Sequence, residues 1–420
     1  MRCVPFAAIV AILLFAHNPA RAQTFNSGST GADGALNPTT NTTLTLPPDG
    51  VFNFTTITIP STVTVKFARN VGNTPVTLLA TGNVTIAGTL DVSATAGGLA
   101  INGATAVLSN GGSGGPGGLD GGAGATGVVS TTGGSGLGPG GGAGGTGIGS
   151  GGGGGGYAVA GANGTGGSTP AAGGVPYGMP TLVPPIGGSG GGGAGATFGN
   201  TGAGGGGGGG AMVIASSGTI TLTGKILARG GSGGSALLGS PGGGAGSGGA
   251  VRLVATAITG STGTIDVSGG PLVSGTATAS AGRVRIEGFT NNAIISLPGA
   301  AAATLATGAP TAATLANSPT LRITAVAGVS APPAPGASFA NPDVVLPGTT
   351  TNPVAVTLGG ANIPLGTTVT VTVKGLNNAV NSTLSGPLTG TVAASVATAT
   401  VTIPINEPSV ISAAATFPAP

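Results

Sequence analysis

Three stretches of the chain alternate apolar and polar residues in the same way. Residues 76–94 read VTLLATGNVTIAGTLDVSA, residues 212–230 MVIASSGTITLTGKILARG, and residues 251–269 VRLVATAITGSTGTIDVSG. They align without gaps: Val84 matches Ile220, Ile86 matches Leu222, Leu90 matches Ile226 and Ile265, and Val92 matches Ala228 and Val267. Gly88, Gly224 and Gly263 fall at one shared turn position. Ile57, Ile59, Val63 and Val65 repeat the spacing upstream, and a weaker copy begins at Val284. A period of two puts every second side chain on one face, so each copy predicts two short strands broken by a turn. One copy cannot bury that face alone. Stacked copies form aliphatic ladders such as Val63, Leu90, Ile226 and Ile265, each buried side chain contributing roughly 1.5–3 kcal/mol. The expected fold class is all-β with a parallel β-helix as its body, an antiparallel sandwich being the alternative. In the third copy Thr259 and Ser261 fall at inward positions, which weakens the ladder there.

Glycine-rich segments leave and re-enter this pattern at matching places: after Ser93 and before Met212, after Arg229 and before Val251, after Ser268 and before Val284. They read as insertions at one corner, the main one at 95–211. About half of residues 97–210 are glycine, which leaves few side chains to bury and a large entropy to lose on ordering. Flexible loops are one reading. The other rests on spacing, because residues 111–118, GGSGGPGG, repeat every three residues, the period of a polyproline II helix. Strands without side chains on one face can approach closely and form a thin bundle. Collagen is excluded, since glycine is not strictly every third residue.

Past a Thr/Ala/Pro-rich connector at 300–319 the pattern changes again. Strands are expected at 321–326, 343–346, 354–358, 367–374, 389–394, 399–403 and 409–417, separated by Pro, Gly and Asn turns. Seven short strands fit an immunoglobulin-like β-sandwich at 320–420. Lacking Cys and Trp, it resembles the bacterial immunoglobulin-like modules of surface proteins, which implies a spacer or a binding head.

The first 22 residues decide which side chains count. Arg2, the apolar run Phe6 to Ala16 and Ala20-Arg21-Ala22 ahead of Gln23 have the form of a secretory signal peptide, predicting a body at 23–299. The run is too short to span a bilayer, and no later stretch is long enough, so no integral membrane segment is expected. Cleavage would remove Cys3 and His17, the only residues of their types, leaving a mature chain without Cys, His or Trp. Disulfides are then excluded in a compartment that permits them. Losing Arg2 and Arg21 from 11 basic residues leaves nine against 8 acidic ones, so nucleic acid is not an expected partner. No lipid anchor and no sorting motif is recognised.

The runs TLTLPPDGVFNFTTITIP at 43–60 and TPVTLLATGNVTIAGTLDVS at 74–93, followed by a glycine-rich stretch, resemble uncharacterised secreted glycine-rich proteins of Gram-negative bacteria. The resemblance spans about residues 33–290 and implies export and a β-helical body. It carries no established activity, so no functional residue transfers. The chain is also similar, in fold alone, to β-helical adhesins and polysaccharide lyases.

Chemistry is restricted accordingly. The G-x-S-x-G pattern at Gly111 to Gly115 has no mature histidine to activate Ser113. The G-x-G-x-x-G pattern at Gly142 to Gly147 follows no strand, and Gly218 to Lys225 misses the phosphate-loop spacing, with Ile226 where Ser or Thr is required. Zinc sites built on Cys or His are excluded. Eight carboxylates remain: Asp33, Asp49, Asp91, Asp120, Asp266, Asp343, Glu287 and Glu407. Asp91 and Asp266 share a repeat position and would flank Leu227 at roughly 9.5 Å, a separation an inverting glycosidase could use, with Arg229 nearby for an acidic sugar. The simpler reading of D-V-S is a short acceptor that satisfies the backbone at a corner. Thr-x-Thr recurs at 43–45, 56–58, 62–64, 219–221 and 370–372, a pattern similar to ice-binding β-helices, although Thr is also a common outward strand residue.

The sequence therefore predicts a secreted structural or adhesive protein of the cell surface or extracellular matrix, not an enzyme, with no catalytic, cofactor or metal residues. Polysaccharide or matrix components are its expected partners. A carboxylate-dependent polysaccharide lyase or hydrolase is the first alternative, and ice or crystalline-polysaccharide binding the second.

Overall fold

The computed structural model describes residues 23–103, 109–127, 132–167, 170–197, 199–236, 242–271, 277–299, 304–314, 319–332, 342–375 and 380–417. The signal-like segment 1–22 lies outside them. Among the described residues there is no α-helix, and no helix is long and apolar enough to cross a membrane.

The body is built in successive passes. The first gives β1 (Ala35–Leu36) and β2 (Thr42–Thr45), the second β3 (Val51–Phe54), β4 (Thr56–Ile59) and β5 (Thr64–Ala68), the third β6 (Val76–Ala80), β7 (Val84–Ile86) and β8 (Thr89–Asp91). Then come β9 (Ala211–Leu222) with β10 (Lys225–Leu227), β11 (Ala250–Thr259) with β12 (Gly263–Asp266), β13 (Arg283–Asn291) with β14 (Ile295–Ser296), and finally β15 (Leu305–Gly308). Each pass pairs in parallel with the one before it, in two sheets. One runs β1-β4-β7-β9-β11-β13-β15 with β3 and β6 beside β9; the other runs β14-β12-β10-β8-β5-β2. The architecture is all-β with long parallel sheets, compatible with a β-helix, and the antiparallel alternative for this region is set aside.

Alternation produces the ladders. Val76, Met212, Val251 and Val284 lie in one register, as do Phe52, Leu78, Ile214, Leu253 and Ile286. On the second sheet Leu90, Ile226 and Ile265 align, and all of these except half-buried Phe52 belong to one buried cluster that joins the two inner faces. Gly224 lies so close over Gly88 that a Cβ would overlap the Gly88 carbonyl.

Two registers differ from expectation. Val65, not Val63, pairs with Leu90, although both valines are buried. In the third copy Ala255 pairs with Ser216 but Ala257 with Thr219, so a bulge in β9 absorbs one residue. Ile258, not Thr259, therefore takes the inward place opposite Ile220, and the expected weak point is filled by a buried isoleucine.

Residues 92–210 separate β8 from β9, and many of the described backbone amides among them bond to other glycine-rich segments. The run 202–210 is representative. Gly204, Gly207 and Gly210 donate to Gly98, Thr95 and Val92; Gly202, Gly205 and Gly208 donate to Ala125, Gly122 and Leu119; Gly206 and Gly209 donate to Gly244 and Ser247. Between these directions the same run accepts from Gly112 and Gly115, from Gly188, Gly191 and Ala194, and from Gly231 and Gly234. Every third residue faces the same neighbour. A Cβ on Gly205, Gly206 or Gly207 would overlap a backbone carbonyl of Gly191, Gly231 or Ser113. Only hydrogen fits there.

The C-terminal region is antiparallel. It contains β16 (Thr320–Val326), β17 (Val329–Ser330), β18 (Val354–Ala361), β19 (Val369–Gly375), β20 (Val380–Leu384), β21 (Thr389–Thr391), β22 (Ala394–Val401) and β23 (Ser409–Ala415). One sheet is ordered β17-β16-β18-β22-β21 and the other β20-β19-β23. The strand expected at 343–346 is an irregular run, and β20, five residues of mixed polarity, was not foreseen. Alternating Val354, Val356 and Leu358 face Val369, Val371 and Val373 in a second buried cluster.

Candidate functional site

Asp91, Leu227 and Asp266 align in register on the outer face of the second sheet. Both carboxylates are already engaged. Asp91 accepts from the Ser93 amide at 2.9 Å and lies 3.8 Å from Lys66 Nζ. Asp266 accepts from the Ser268 amide at 3.0 Å and from Arg229 Nε at 2.6 Å, and is buried. The i+2 bonds are those of a short acceptor closing a corner. Arg229, which sequence spacing placed near a substrate, is instead the counter-ion of Asp266.

The other candidates are also occupied. Asp33 accepts from the Asn53 amide, Asp49 from the Val51 amide, and Asp120 from Arg69 and the Gly114 amide. The Ser113 amide donates to the Thr95 hydroxyl and its carbonyl accepts from the Thr95 amide, and within the Gly142 to Gly147 pattern the amides of Gly142 and Gly145 donate to Gly190 and Gly193, so they do not point at a phosphate. Asp343 and Glu407 line an open groove of about 490 Å³ in the C-terminal region, together with Ile323, Val326, Leu346 and Ile411. Among the described residues no three His, Cys, Asp or Glu gather as a metal site.

Two clusters escaped sequence reasoning. Arg252, 1% exposed, and Glu287, fully buried, meet through Arg252 Nε and a terminal nitrogen at 3.1 and 3.0 Å. Arg285 Nε adds a 2.5 Å bond to Glu287, the Thr311 amide and hydroxyl donate to it at 2.8 and 2.7 Å, and Arg252 reaches the Ala312 carbonyl. Burial pushes the Glu287 carboxyl up, but these donors outweigh it and hold it below the usual carboxylate range. The cluster fastens residues 311–313 over the outer face of the first sheet. Beside them Phe25 packs with Leu79, Ala215, Val254 and Ala313.

The two tyrosines of the chain, Tyr157 and Tyr177, pack with ring centres 4.7 Å apart and planes tilted by 41°, with Arg283 5.6 Å from the Tyr157 ring centre. Their hydroxyls donate to Ile186 and Gly187 carbonyls, and burial pushes both phenols up. Ala211 and Ala250 complete this cluster, which anchors the glycine-rich segments where β9 and β11 begin.

The outer face of β4, β7 and the C-terminal halves of β9 and β11 is different in kind. Thr58 pairs with Thr85, Thr85 with Thr221, and Thr221 with Thr259, whose hydroxyls are 3.1 Å apart. Two positions back along the strands Thr219, Ala257 and Thr290 form a second row. Thr85 and Thr259 lie outside any Thr-x-Thr motif, so a motif search misses half of the first row. Scanned against protein-family models, curated proteins and solved structures, the chain finds no match.

Proposed function

We propose that this is a secreted structural or adhesive protein of the bacterial surface or extracellular matrix, acting without catalysis. In this reading the parallel sheets are a β-helical rod, the glycine-rich segments a polyproline II bundle along its side, and residues 320–417 an immunoglobulin-like spacer or binding head. Polysaccharide or matrix components are the partners, reached by export through the signal-like segment 1–22. The observation that carries the reading is the threefold hydrogen bonding of 202–210, which makes a stiff element out of residues that offer almost no side-chain chemistry. Stiffness without reactive groups suits a scaffold.

Hydrogen exchange across residues 97–210 tests the architecture: protection comparable to the aliphatic ladders is expected, and immediate exchange would return these segments to flexible spacers. Function is tested separately, by retention of purified protein on cells or polymer and by uronic-acid release from a polysaccharide panel. Retention without release is expected. Release that disappears in Asp266→Asn would favour the lyase or hydrolase reading, in which Asp91 and Asp266 act across Leu227.

A further inference from the structure

We propose that the threonine face of the first sheet is a binding site for the ordered water of an ice surface. It uses the extracellular placement proposed above but stands on its own geometry. Thr58, Thr85, Thr221 and Thr259 come from separate passes of the chain, and the parallel register brings them into one row. Parallel strands repeat at about 4.8 Å, and alternate residues along a strand at about 6.6 Å, so this row and its neighbour containing Thr219 and Thr290 form a two-dimensional hydroxyl and methyl array. β-Branched side chains in strands have few χ1 choices, so the array is set before contact and little entropy is lost on binding.

The surroundings distinguish this face from ordinary outward threonines. The other half of the same sheet is covered by Phe25 and residues 311–313. The second sheet carries Lys66, Asp91, Lys225 and Asp266 on its outer rows. The two threonine rows hold neither charge nor aromatic ring. A charge pressed against a lattice of water would be stripped of its mobile solvent shell at a cost, and none is present. A sugar ring would be met by a stacking platform, and neither threonine row supplies one, the exposed Phe289 lying beside Thr290 and not in the rows. What the face offers is many weak, regularly spaced contacts, each a hydroxyl that can join a hydrogen-bonded water network beside a methyl that fits between water molecules.

The test is thermal hysteresis and inhibition of ice recrystallisation by the purified full chain. The wild type is expected to shape and slow ice growth. Thr85→Glu and Thr221→Glu should abolish the effect, while Thr264→Glu on the second sheet should keep it. Thr221→Val, which preserves shape and removes one hydroxyl, covers the case in which a glutamate variant fails to fold; it should weaken the effect with the β-sheet circular dichroism unchanged. Absence of hysteresis in the wild type overturns the proposal, as does hysteresis that survives the row variants. Binding to crystalline cellulose through these threonines, without any effect on ice, would overturn it too and leave the adhesive reading intact.

Discussion

At the scale of single residues, the strongest commitments are made where nothing else could fit. Glu287 is the only counter-charge among the groups holding Arg252 and Arg285, and it is fully buried. Glu287→Gln should cost about 3–5 kcal/mol in urea or thermal unfolding, because it leaves guanidinium charge buried without a partner, whereas replacing Arg252 and Glu287 together by apolar residues should recover much of the loss. The pH dependence follows from the lowered carboxyl. A carboxylate depressed in the folded state contributes stability that is fully present above its unfolded value, about 4.3, and is lost as pH falls through the folded value. Unfolding measured from neutral pH into acid should therefore show a drop that is absent in the glutamine variant.

Glycines divide in the same manner. Gly207→Ala would drive a methyl into the Ser113 carbonyl, and overpacking of this kind costs about 1–3 kcal/mol. Gly386 has nothing within 4 Å and no unusual backbone angle, so Gly386→Ala should be neutral or stabilising by up to about 1 kcal/mol. Paired thermal melts of the two variants check the contrast.

At the scale of elements, the copies at 76–94, 212–230 and 251–269, with the upstream repeat from Ile57, were legible because apolar positions recur in them at one alternating spacing, broken only at Thr259 and Ser261. What alternation cannot fix is register in steps of two. Val63 and Val65 have the same parity, so sliding the strand by two residues leaves the inward face inward, and the pattern alone does not choose between them. The bulge in β9 was hidden for a different reason: Ser216, Ser217 and Gly218 have no apolar side chain whose displacement would betray an extra residue. That concealed Thr259 from the threonine row and made Ile258 look outward. A swap separates the two registers. Ile258→Thr combined with Thr259→Ile should destabilise by about 2–5 kcal/mol, as loss of a buried isoleucine does, whereas a gapless register would make the same swap stabilising. Equilibrium unfolding decides it.

The buried ionic cluster was illegible on the same grounds. Arg252, Arg285 and Glu287 sit at positions that alternation assigns outward, where charges are unremarkable, and only the return of residues 311–313 over them makes an interior. Tyr157 and Tyr177 meet from within a glycine tract that carries no periodic apolar signal.

At the scale of the whole molecule, the C-terminal strands touch the glycine-rich segments through Lys374, whose Nζ donates to the Gly136 carbonyl at 3.0 Å. Burial lowers its pKa. Between that lowered value and the ordinary lysine range the unfolded chain binds more protons, so stability should rise with pH there. Lys374→Met should remove this alkaline rise, measurable by urea unfolding across that range.

The N-terminal residues link the beginning of the chain to parts made much later. The Phe25 amide donates to Thr256, the Ser27 amide to Ser217 and the Ser27 hydroxyl to Ala80, while Ser29 reaches Phe54. The Ser27 and Ser29 hydroxyls find their partners in β6 and β3, but the Phe25 and Ser27 amides have none until β11 and β9 are in position. These residues act like a strap buckled after the load is stacked: their partners lie 231 and 190 residues further along, and contacts of this sequence separation are slow to form. Until that moment the apolar outer half of the first sheet stays open to other molecules, which makes the interval before closure the protein's most aggregation-exposed stage.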